Sequence, residues 1–142
     1  MSKILFQNQL STQAAPERLL SILTYPENLP LWDDESSCVV LTTDGYGLTR
    51  QQPALNEHEL LTVSATANQV RYHSQGGRLS YDLTFTLGTS AGLTTLTQEL
   101  QLAPNSALLV PLKLLMPIAK HAFAQKLQSL ITLAESVREV MI

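Results

Sequence analysis

The stretch RLSYDLTFTL, residues 78–87, alternates apolar and polar side chains with a period of two. Its odd-numbered positions are all leucine or aromatic, and its even-numbered positions are arginine, serine, aspartate or threonine. Because successive side chains of a strand point to opposite faces, this alternation predicts a strand with one buried face and one wet face. Such a strand is typical of an antiparallel sheet that covers an apolar core.

The same period continues on both sides of this strand, from Ser36 to Leu102. Turn signals interrupt it at Asp44-Gly45, Asn56, Asn68, Gly76-Gly77 and Ser90-Ala91-Gly92. Six strands joined by such turns indicate an antiparallel meander. Two-residue turns would set the register and keep apolar residues on one face. The expected pairs are Leu41 with Leu48, Val63 with Tyr72, Val70 with Leu83 and Tyr72 with Tyr81, and the same register places Arg50, Gln52 and Gln98 on the inner side.

Other elements precede and follow the meander. A first strand would carry Ile4, Phe6, Asn8 and Leu10 on one face. Pro16 and Pro26 suit the first turns of two short helices. A long amphipathic helix is predicted from about Leu114 to Val140, because apolar residues recur there at three- and four-residue steps. Its apolar stripe contains Met116, Ala119, Phe123, Leu127, Leu130, Ile131, Ala134, Val137 and Met141.

These elements predict an α+β fold in which a seven-stranded curved antiparallel sheet wraps around a long C-terminal helix. The 142 residues suit a single domain, 1–142. One helix about 10 Å wide cannot fill the concavity of seven strands. The sequence therefore predicts a pocket between sheet and helix, lined by Leu, Tyr, Phe and Met.

Composition excludes several classes of partner. Charged residues make up only 15% of the chain, and the net charge is −3 with no basic cluster, so nothing favours nucleic acid. The most apolar stretch, residues 107–119, is interrupted by Pro111, Lys113 and Pro117, so no integral membrane segment is expected. The single cysteine, Cys38, allows no internal disulfide and suits a cytoplasmic protein.

The segment YPENLPLWDDE, residues 25–35, follows the first short helix. Together with Pro16-Glu17, the DGYGL segment at 44–48 and the closing helix, it resembles the START-like, birch-pollen-allergen-like helix-grip superfamily (SRPBCC), which includes the polyketide cyclase/dehydrase and lipid transport family. The resemblance covers essentially the whole chain. It implies a cavity between sheet and C-terminal helix that binds a small hydrophobic or amphipathic molecule such as a lipid, a quinone or a polyketide. Some members of the superfamily are cyclases or aromatases, some are carriers, and some dock on proteins.

Polar groups on the inner face are the first candidate ligand-binding residues. Arg50 could hold a ligand carboxylate or enolate, or it could lie at the rim and reach water. Tyr72 and Tyr81 could offer hydroxyl groups to a ligand or pack as core aromatics. Gln98 is a lone inward amide that would bond a ligand or water.

Four apolar candidates complete the predicted site. Trp32 would cover one end of the pocket, and Phe85 belongs to its inner wall. Met116 and Phe123 would face the sheet from the first half of the last helix, although ordinary core packing is slightly favoured for each taken alone. The apolar segment ALLVPLKLL, residues 107–115, reads either as an entrance lid or as a partner surface.

Catalytic chemistry has little support in the sequence. His58, His73 and His121 have no metal-ligand spacing, and no cofactor motif occurs, so neither a metal nor a cofactor is expected. A binding or carrier protein for a small hydrophobic molecule is therefore the preferred function. One alternative is a cyclase or dehydratase using Arg50, the tyrosines or the glutamates at 57 and 59. Another is a protein-interaction module, with a homodimer as one form of it.

Overall fold

The computed structural model describes residues 3–51, 56–77, 79–103 and 111–142. Within these ranges the chain forms seven strands, three α-helices and one 3₁₀ turn. The strands are β1 (Lys3–Thr12), β2 (Ser36–Thr42), β3 (Gly45–Arg50), β4 (His58–Ala65), β5 (Gln69–Gln75), β6 (Tyr81–Ser90) and β7 (Leu93–Leu102). The helices are α1 (Pro16–Thr24), α2 (Leu29–Trp32) and α3 (Leu112–Glu135), and the 3₁₀ turn is Pro26–Asn28.

All seven strands belong to one antiparallel sheet in the order β1-β7-β6-β5-β4-β3-β2 across the described residues. The sheet curls around α3, and the two short helices follow β1, as the sequence predicts. Apolar residues of the second half of α3 belong to the same buried core cluster as Phe85, which is fully buried on β6. This packing confirms the α+β class and the helix-grip architecture.

The sheet register matches the prediction at one hairpin and differs at two. Val63 pairs with Tyr72, as expected. Tyr72 pairs with Leu83 instead of Tyr81, because the connection between β5 and β6 is longer than two residues and β6 begins only at Tyr81. Likewise, Leu41 pairs with Tyr46 instead of Leu48. Both differences amount to two positions, so the side chains of these two hairpins keep their predicted faces.

The first strand departs from simple alternation near its start. The pairing of β1 with β7 shifts between Ile4 and Phe6, which marks a β-bulge. A bulge adds one residue and reverses the parity of the strand. Leu5 and Phe6 are consequently both buried, whereas Ile4, predicted on the inner face, is exposed.

Helix α3 begins and ends earlier than the pattern predicts. It starts at Leu112, so residues 112–115 of the predicted loop are helical, whereas residues 107–110 lie outside the described part of the chain. It ends at Glu135, which leaves Val137 and Met141 beyond the helix and exposed. No helix in the described ranges combines the length and hydropathy needed to cross a lipid bilayer.

Arg18 of α1 caps the C-terminal end of α3. Its guanidinium donates to the carbonyl oxygens of Ala134 (2.8 Å), Leu133 (3.3 Å), Ser136 (3.2 Å) and Arg138 (2.8 Å). The last carbonyls of a helix have no partner within the helix and carry partial negative charge, so a cation is stabilising there. This contact joins α1 to α3 and sets the position of the helix across the sheet.

Replacing this residue tests that account. Arg18→Met should lower the free energy of unfolding by about 1–3 kcal/mol, because it removes charged donors from several carbonyls at once. Arg18→Lys should recover only part of the loss, since a lysine cannot reproduce the planar fork of donors. Urea unfolding measures both values. Arg138→Met, which removes an exposed cation nearby, is the control, and an equal effect in the control would contradict the capping role.

Candidate functional site

A cavity of about 350 Å³ lies between the first half of α3 and the sheet. Its walls are mainly apolar, and a small set of charged and polar groups is gathered on one side. The lining residues are Leu5, Glu35, Arg50, Asn56, Glu59, Leu79, Tyr81, Leu100, Leu102, Leu115, Ile118, Ala119, Ala122, Phe123 and Lys126. The volume is within the range of small-molecule sites, which is roughly 300–1,000 Å³.

The side chains of α3 determine where this space is left. Ala119 and Ala122 face the cavity and are too small to reach the sheet. One and two turns later, Leu127, Leu130 and Ile131 fill the same gap and are buried in the core. Ile118 also lines the cavity and is 68% exposed, so the cavity reaches the surface beside the first turns of α3.

Asn56 fixes the connection at one rim of the cavity. Its side-chain Nδ2 donates to the Leu79 carbonyl (2.9 Å), and its Oδ1 accepts from the Leu79 N–H (2.8 Å). Gly77 lies against this amide, because a Cβ built there would be 2.6 Å from the Asn56 side chain. The Gly-Gly pair is therefore needed for close packing at the rim as well as for the turn.

Arg50 is the centre of a buried network of ion pairs. It is only 9% exposed and lies at the end of β3. Its Nε donates to Glu59 Oε2 (2.5 Å), its Nη1 to Asp33 Oδ2 (3.0 Å) and its Nη2 to the Tyr81 hydroxyl (3.3 Å). Glu59 Oε1 also accepts from Tyr81 (2.6 Å) and from Ser74 (2.8 Å). Both oxygens of Glu59 are therefore occupied.

Lys126 extends the network to α3. Its Nζ lies 3.2 Å from Asp33 Oδ1 and 3.3 Å from Glu35 Oε2. The same Glu35 oxygen is 3.6 Å from Arg50 Nη1. The side chains of Asp33, Glu59, Arg50 and Lys126 are all nearly inaccessible, whereas that of Glu35 is 34% exposed. Two buried cations thus balance two buried carboxylates, with Glu35 at the surface of the cluster.

The network shifts the pKa values of Asp33, Tyr81 and Arg50. Burial alone would raise the pKa of Asp33, but Lys126 and Arg50 outweigh it and hold the pKa below its ordinary value. Burial and the neighbouring Glu59 raise the pKa of the Tyr81 hydroxyl. Although burial opposes it, the charges around Arg50 raise the pKa of the guanidinium further. At neutral pH Asp33 and Arg50 are therefore ionised, and the Tyr81 phenol is protonated.

A second cavity, of about 10 Å³, lies behind the network. Trp32 and Tyr72 line it, together with Asp33, Arg50 and Tyr81. The Tyr72 hydroxyl donates to the Leu23 carbonyl and is fully buried, and burial raises its pKa. Trp32 and Tyr72 thus belong to the layer between the charge cluster and the core.

Seven of the eight residues predicted from the sequence separate into three groups. Arg50, Tyr81 and Phe123 line the large cavity, whereas Trp32 and Tyr72 line only the small one. Phe85 and Gln98 are buried in the sheet and line neither cavity.

Met116 is the misplaced member of this set. It is 38% exposed and does not line the cavity. The helix presents Leu115 to the cavity instead, one residue earlier than the predicted stripe.

The polar candidates have specific partners. Gln98 Oε1 accepts from Asn8 Nδ2 (3.0 Å), and Asn8 also donates to the Lys120 carbonyl on α3 (3.2 Å). The Gln98 oxygen thus joins β7 to β1, whereas its Nε2 is buried without a hydrogen-bond partner among the described residues. Gln52, predicted on the inner face, lies outside the described residues.

The histidines are dispersed over the surface. His58 and His73 are exposed on β4 and β5, and His73 Nδ1 lies 2.7 Å from Asp82 Oδ1 across the strands. His121 is exposed on α3. Among the described residues, no three His, Cys, Asp or Glu side chains are grouped so as to hold a metal ion.

Sequence reasoning missed Asp33, Glu35 and Lys126. The signal for Lys126 was present, because it lies three residues after Phe123 and four before Leu130, on the apolar side of α3. Asp33 and Glu35 belong to the end of the YPENLPLWDDE segment, but their partners are distant in sequence. The ion-pair network of these three residues can be recognised only in the folded structure, which brings α2, β3, β4 and α3 together.

Comparison with solved structures identifies the fold. A START superfamily protein from Mycobacterium smegmatis superposes with a TM-score of 0.78 at 16% identity, covering 94% of this chain and 98% of the other. A protein from Thermus thermophilus gives a TM-score of 0.70 at 18% identity, with 92% and 98% covered. The Aha1 dimer from Colwellia psychrerythraea gives 0.63 at 17% identity, with 94% and 98% covered.

No protein-family profile and no curated protein matches this sequence. The structural likeness therefore defines a class by its architecture: the chain has the START-like helix-grip fold. The expected resemblance is confirmed at the level of fold.

Because Asp33 is ion-paired in the network, removing its carboxylate charge should lower the stability of the protein to a degree that depends on pH. Asp33→Asn should lower the free energy of unfolding by about 3–5 kcal/mol at pH 7, because it breaks buried ion pairs and leaves cations undercompensated. Since the folded pKa of Asp33 is depressed, its contribution is present above the unfolded value of about 3.9 and is lost as the pH falls through the folded pKa.

Urea unfolding at neutral pH and near pH 3 measures this difference. The difference in free energy of unfolding between the wild type and Asp33→Asn should be smaller at the lower pH. Asp34→Asn, an exposed neighbour, should change stability by less than about 0.5 kcal/mol at either pH. If the loss of unfolding free energy in Asp33→Asn is the same at both pH values, the ionised carboxylate is not what stabilises the fold.

Proposed function

We propose that this protein binds a small amphipathic molecule, of the lipid, quinone or polyketide kind, in the large cavity. The observation that carries the proposal is a cavity of about 350 Å³ with apolar walls and one charged side. An apolar body would lie against Leu5, Leu100 and Leu115, and a polar end would face Arg50 and Lys126. Cargo binding in the cytoplasm, without a cofactor, is the role we assign to it.

The energetics of the cavity favour an occupant. A dry apolar cavity of this size would cost roughly 8 kcal/mol at about 24 cal/mol per Å³. That is comparable to the whole stability of a domain, which is about 5–15 kcal/mol. Water relieves the cost only where it finds polar partners, and most of this wall offers none. A ligand with an apolar body fits the wall better than water does.

Binding fits the chemistry of the site better than catalysis does. A general acid or base needs a pKa near the working pH and a free bond toward the substrate. Glu59 and Asp33 are each held by several donors, and the pKa of Tyr81 is raised by burial and by Glu59. A cyclase or dehydratase would have to use Tyr81 or Glu59, so we keep that function as the alternative.

Filling the cavity tests the proposal directly. In a thermal-shift screen over fatty acids, quinones, sterols and aromatic polyketides, at least one compound should stabilise the wild type. At a free concentration about 100 times the dissociation constant, the gain should be about 2.7 kcal/mol. Ala122→Phe should abolish this gain, because the ring would occupy the space beside Ala119 and Phe123.

The matched control is Ala124→Phe. Ala124 lies on the same helix but faces a groove beside Asn8 and Leu10, away from the cavity. This variant should keep the ligand-induced stabilisation. Absence of any stabilising compound, or equal loss in both variants, would count against the cavity as the binding site.

A second candidate function, a protein-interaction module that forms a homodimer, has one specific observation in its favour. Strand β2 is an edge of the sheet, and its Val40 and Leu41 are 53% and 65% exposed. Charged residues and proline normally protect an edge strand from pairing with another chain. The sequence of β2, SSCVVLT, contains neither. Antiparallel pairing of β2 with the same strand of a second copy would cover these side chains.

Light scattering during size-exclusion chromatography tests the homodimer. The wild type should elute with the mass of two chains, and Leu41→Lys should shift it to one, because a lysine on the edge opposes strand pairing. The control Ile4→Lys changes an exposed apolar residue on the opposite edge strand. A wild type that remains monomeric would remove this candidate.

A further inference from the structure

Resting on the proposed binding function, we infer that the ligand carries an anionic head group, which takes the place of the Glu35 carboxylate against Lys126 and Arg50. The class of ligand is thus an anionic amphiphile with a single apolar chain or body. Glu35 acts as the resident counter-ion that such a ligand displaces.

Glu35 is the loosely held carboxylate of the cluster. Asp33 is fixed by Arg50, by Lys126 and by the backbone N–H of Glu35 (3.1 Å). Glu59 accepts three hydrogen bonds from Arg50, Ser74 and Tyr81. Among the described residues, the Glu35 side chain makes only the two longer ion-pair contacts, and it is 34% exposed.

Both of those contacts converge on a single atom. Glu35 Oε2 lies 3.3 Å from Lys126 Nζ and 3.6 Å from Arg50 Nη1, so two cations are aimed at one oxygen position on the cavity wall. A carboxylate, sulfate or phosphate oxygen of a ligand is chemically equivalent to this atom. The position therefore suits an oxyanion whether or not the protein supplies it.

A neighbouring groove can accept the Glu35 side chain when a ligand displaces it. Besides the large cavity, Glu35 lines a surface groove of about 130 Å³ with the exposed residues Asp34, Gln125 and Ser129. A rotation of its side chain into this groove would bring its carboxylate into water. Lys126 stays in place when the Glu35 carboxylate moves, because its Nζ keeps the ion pair with Asp33 Oδ1 (3.2 Å).

Charge balance supports an exchange of anions. With Glu35 in place, the cluster has three carboxylates against two cations. An additional anion would be repelled, but an anion that replaces Glu35 leaves the charge of the site unchanged. The exchange takes one carboxylate out of water and returns another, so the desolvation cost largely cancels.

The apolar part of the ligand would extend from this point along Leu5, Leu100, Leu102 and Leu115. A water molecule occupies about 30 Å³ of liquid volume, and a methylene group is of similar size. A cavity of about 350 Å³ therefore has room for roughly a dozen carbon atoms. Decanoate, 1-decanol and decylamine are matched probes that differ only in the head group.

Isothermal titration calorimetry at about pH 8, where decanoate is ionised, measures the three affinities. The wild type should bind decanoate about tenfold more tightly than 1-decanol, the difference expected when a charge-assisted contact replaces a neutral one. Decylamine should bind no more tightly than 1-decanol. Equal affinity for decanoate and 1-decanol, or a preference for decylamine, would overturn the inference.

Two variants identify the residues responsible. Glu35→Gln should bind decanoate several-fold more tightly than the wild type and leave 1-decanol unchanged, because the competing carboxylate is gone. Lys126→Met should lower the affinity for decanoate to that for 1-decanol. Glu17→Gln, an exposed substitution at the start of α1 with the same change of charge, is the control.

The outcomes separate this inference from the binding function on which it rests. If 1-decanol binds and decanoate binds equally well, the cavity binds apolar chains and only the anionic preference is wrong. If neither probe binds, the proposed function itself is contradicted for chains of this class. If Lys126→Met does not fold, Glu35→Gln decides, and weaker or unchanged decanoate binding by that variant would overturn the inference.

Discussion

The ion pairs of Arg50 are the interaction on which the rest of the site depends. Through Asp33, Glu59 and Tyr81 they join the turn after α2 to β4 and β6, and through Asp33 they reach Lys126 on α3. An unpaired buried charge costs several kcal/mol, so these elements cannot separate or rearrange without breaking the network. The charged side of the cavity is therefore held in place by the same contacts that make it polar.

The cavity itself follows from covering a wide sheet with one helix. The second half of α3 carries leucine and isoleucine and closes against the sheet, whereas the first half presents Ala119 and Ala122 and leaves space. Arg18 fixes the far end of the helix by bonding its last carbonyls. The C-terminal end of α3 is held by Arg18, and its middle is held by the ion pair between Lys126 and Asp33. The space between the sheet and the N-terminal half of α3 therefore persists.

The sequence predicted the sheet, its faces and the pocket, but only part of the site. In two hairpins the predicted register was wrong by two residues. Because the strand period is also two, the side chains of these hairpins were still assigned to the correct face of the sheet. The bulge at Leu5 and the one-residue error at Met116 were missed, because a bulge and the exact phase of a helix depend on packing against other elements. Strand alternation was enough to place Arg50 on the inner face, whereas the role of Lys126 depends on partners that only the fold brings near.

The most direct test of a ligand in this cavity is methyl NMR of leucine-labelled protein during titration with decanoate. If decanoate binds in the cavity, the shifted methyl signals should belong to the lining residues Leu5, Leu79, Leu100, Leu102 and Leu115. Signals of Leu19 and Leu23, which are buried residues of α1 and do not line the cavity, should stay unchanged. Shifts confined to surface residues such as Leu41, or no shifts at saturating decanoate, would contradict binding in the cavity.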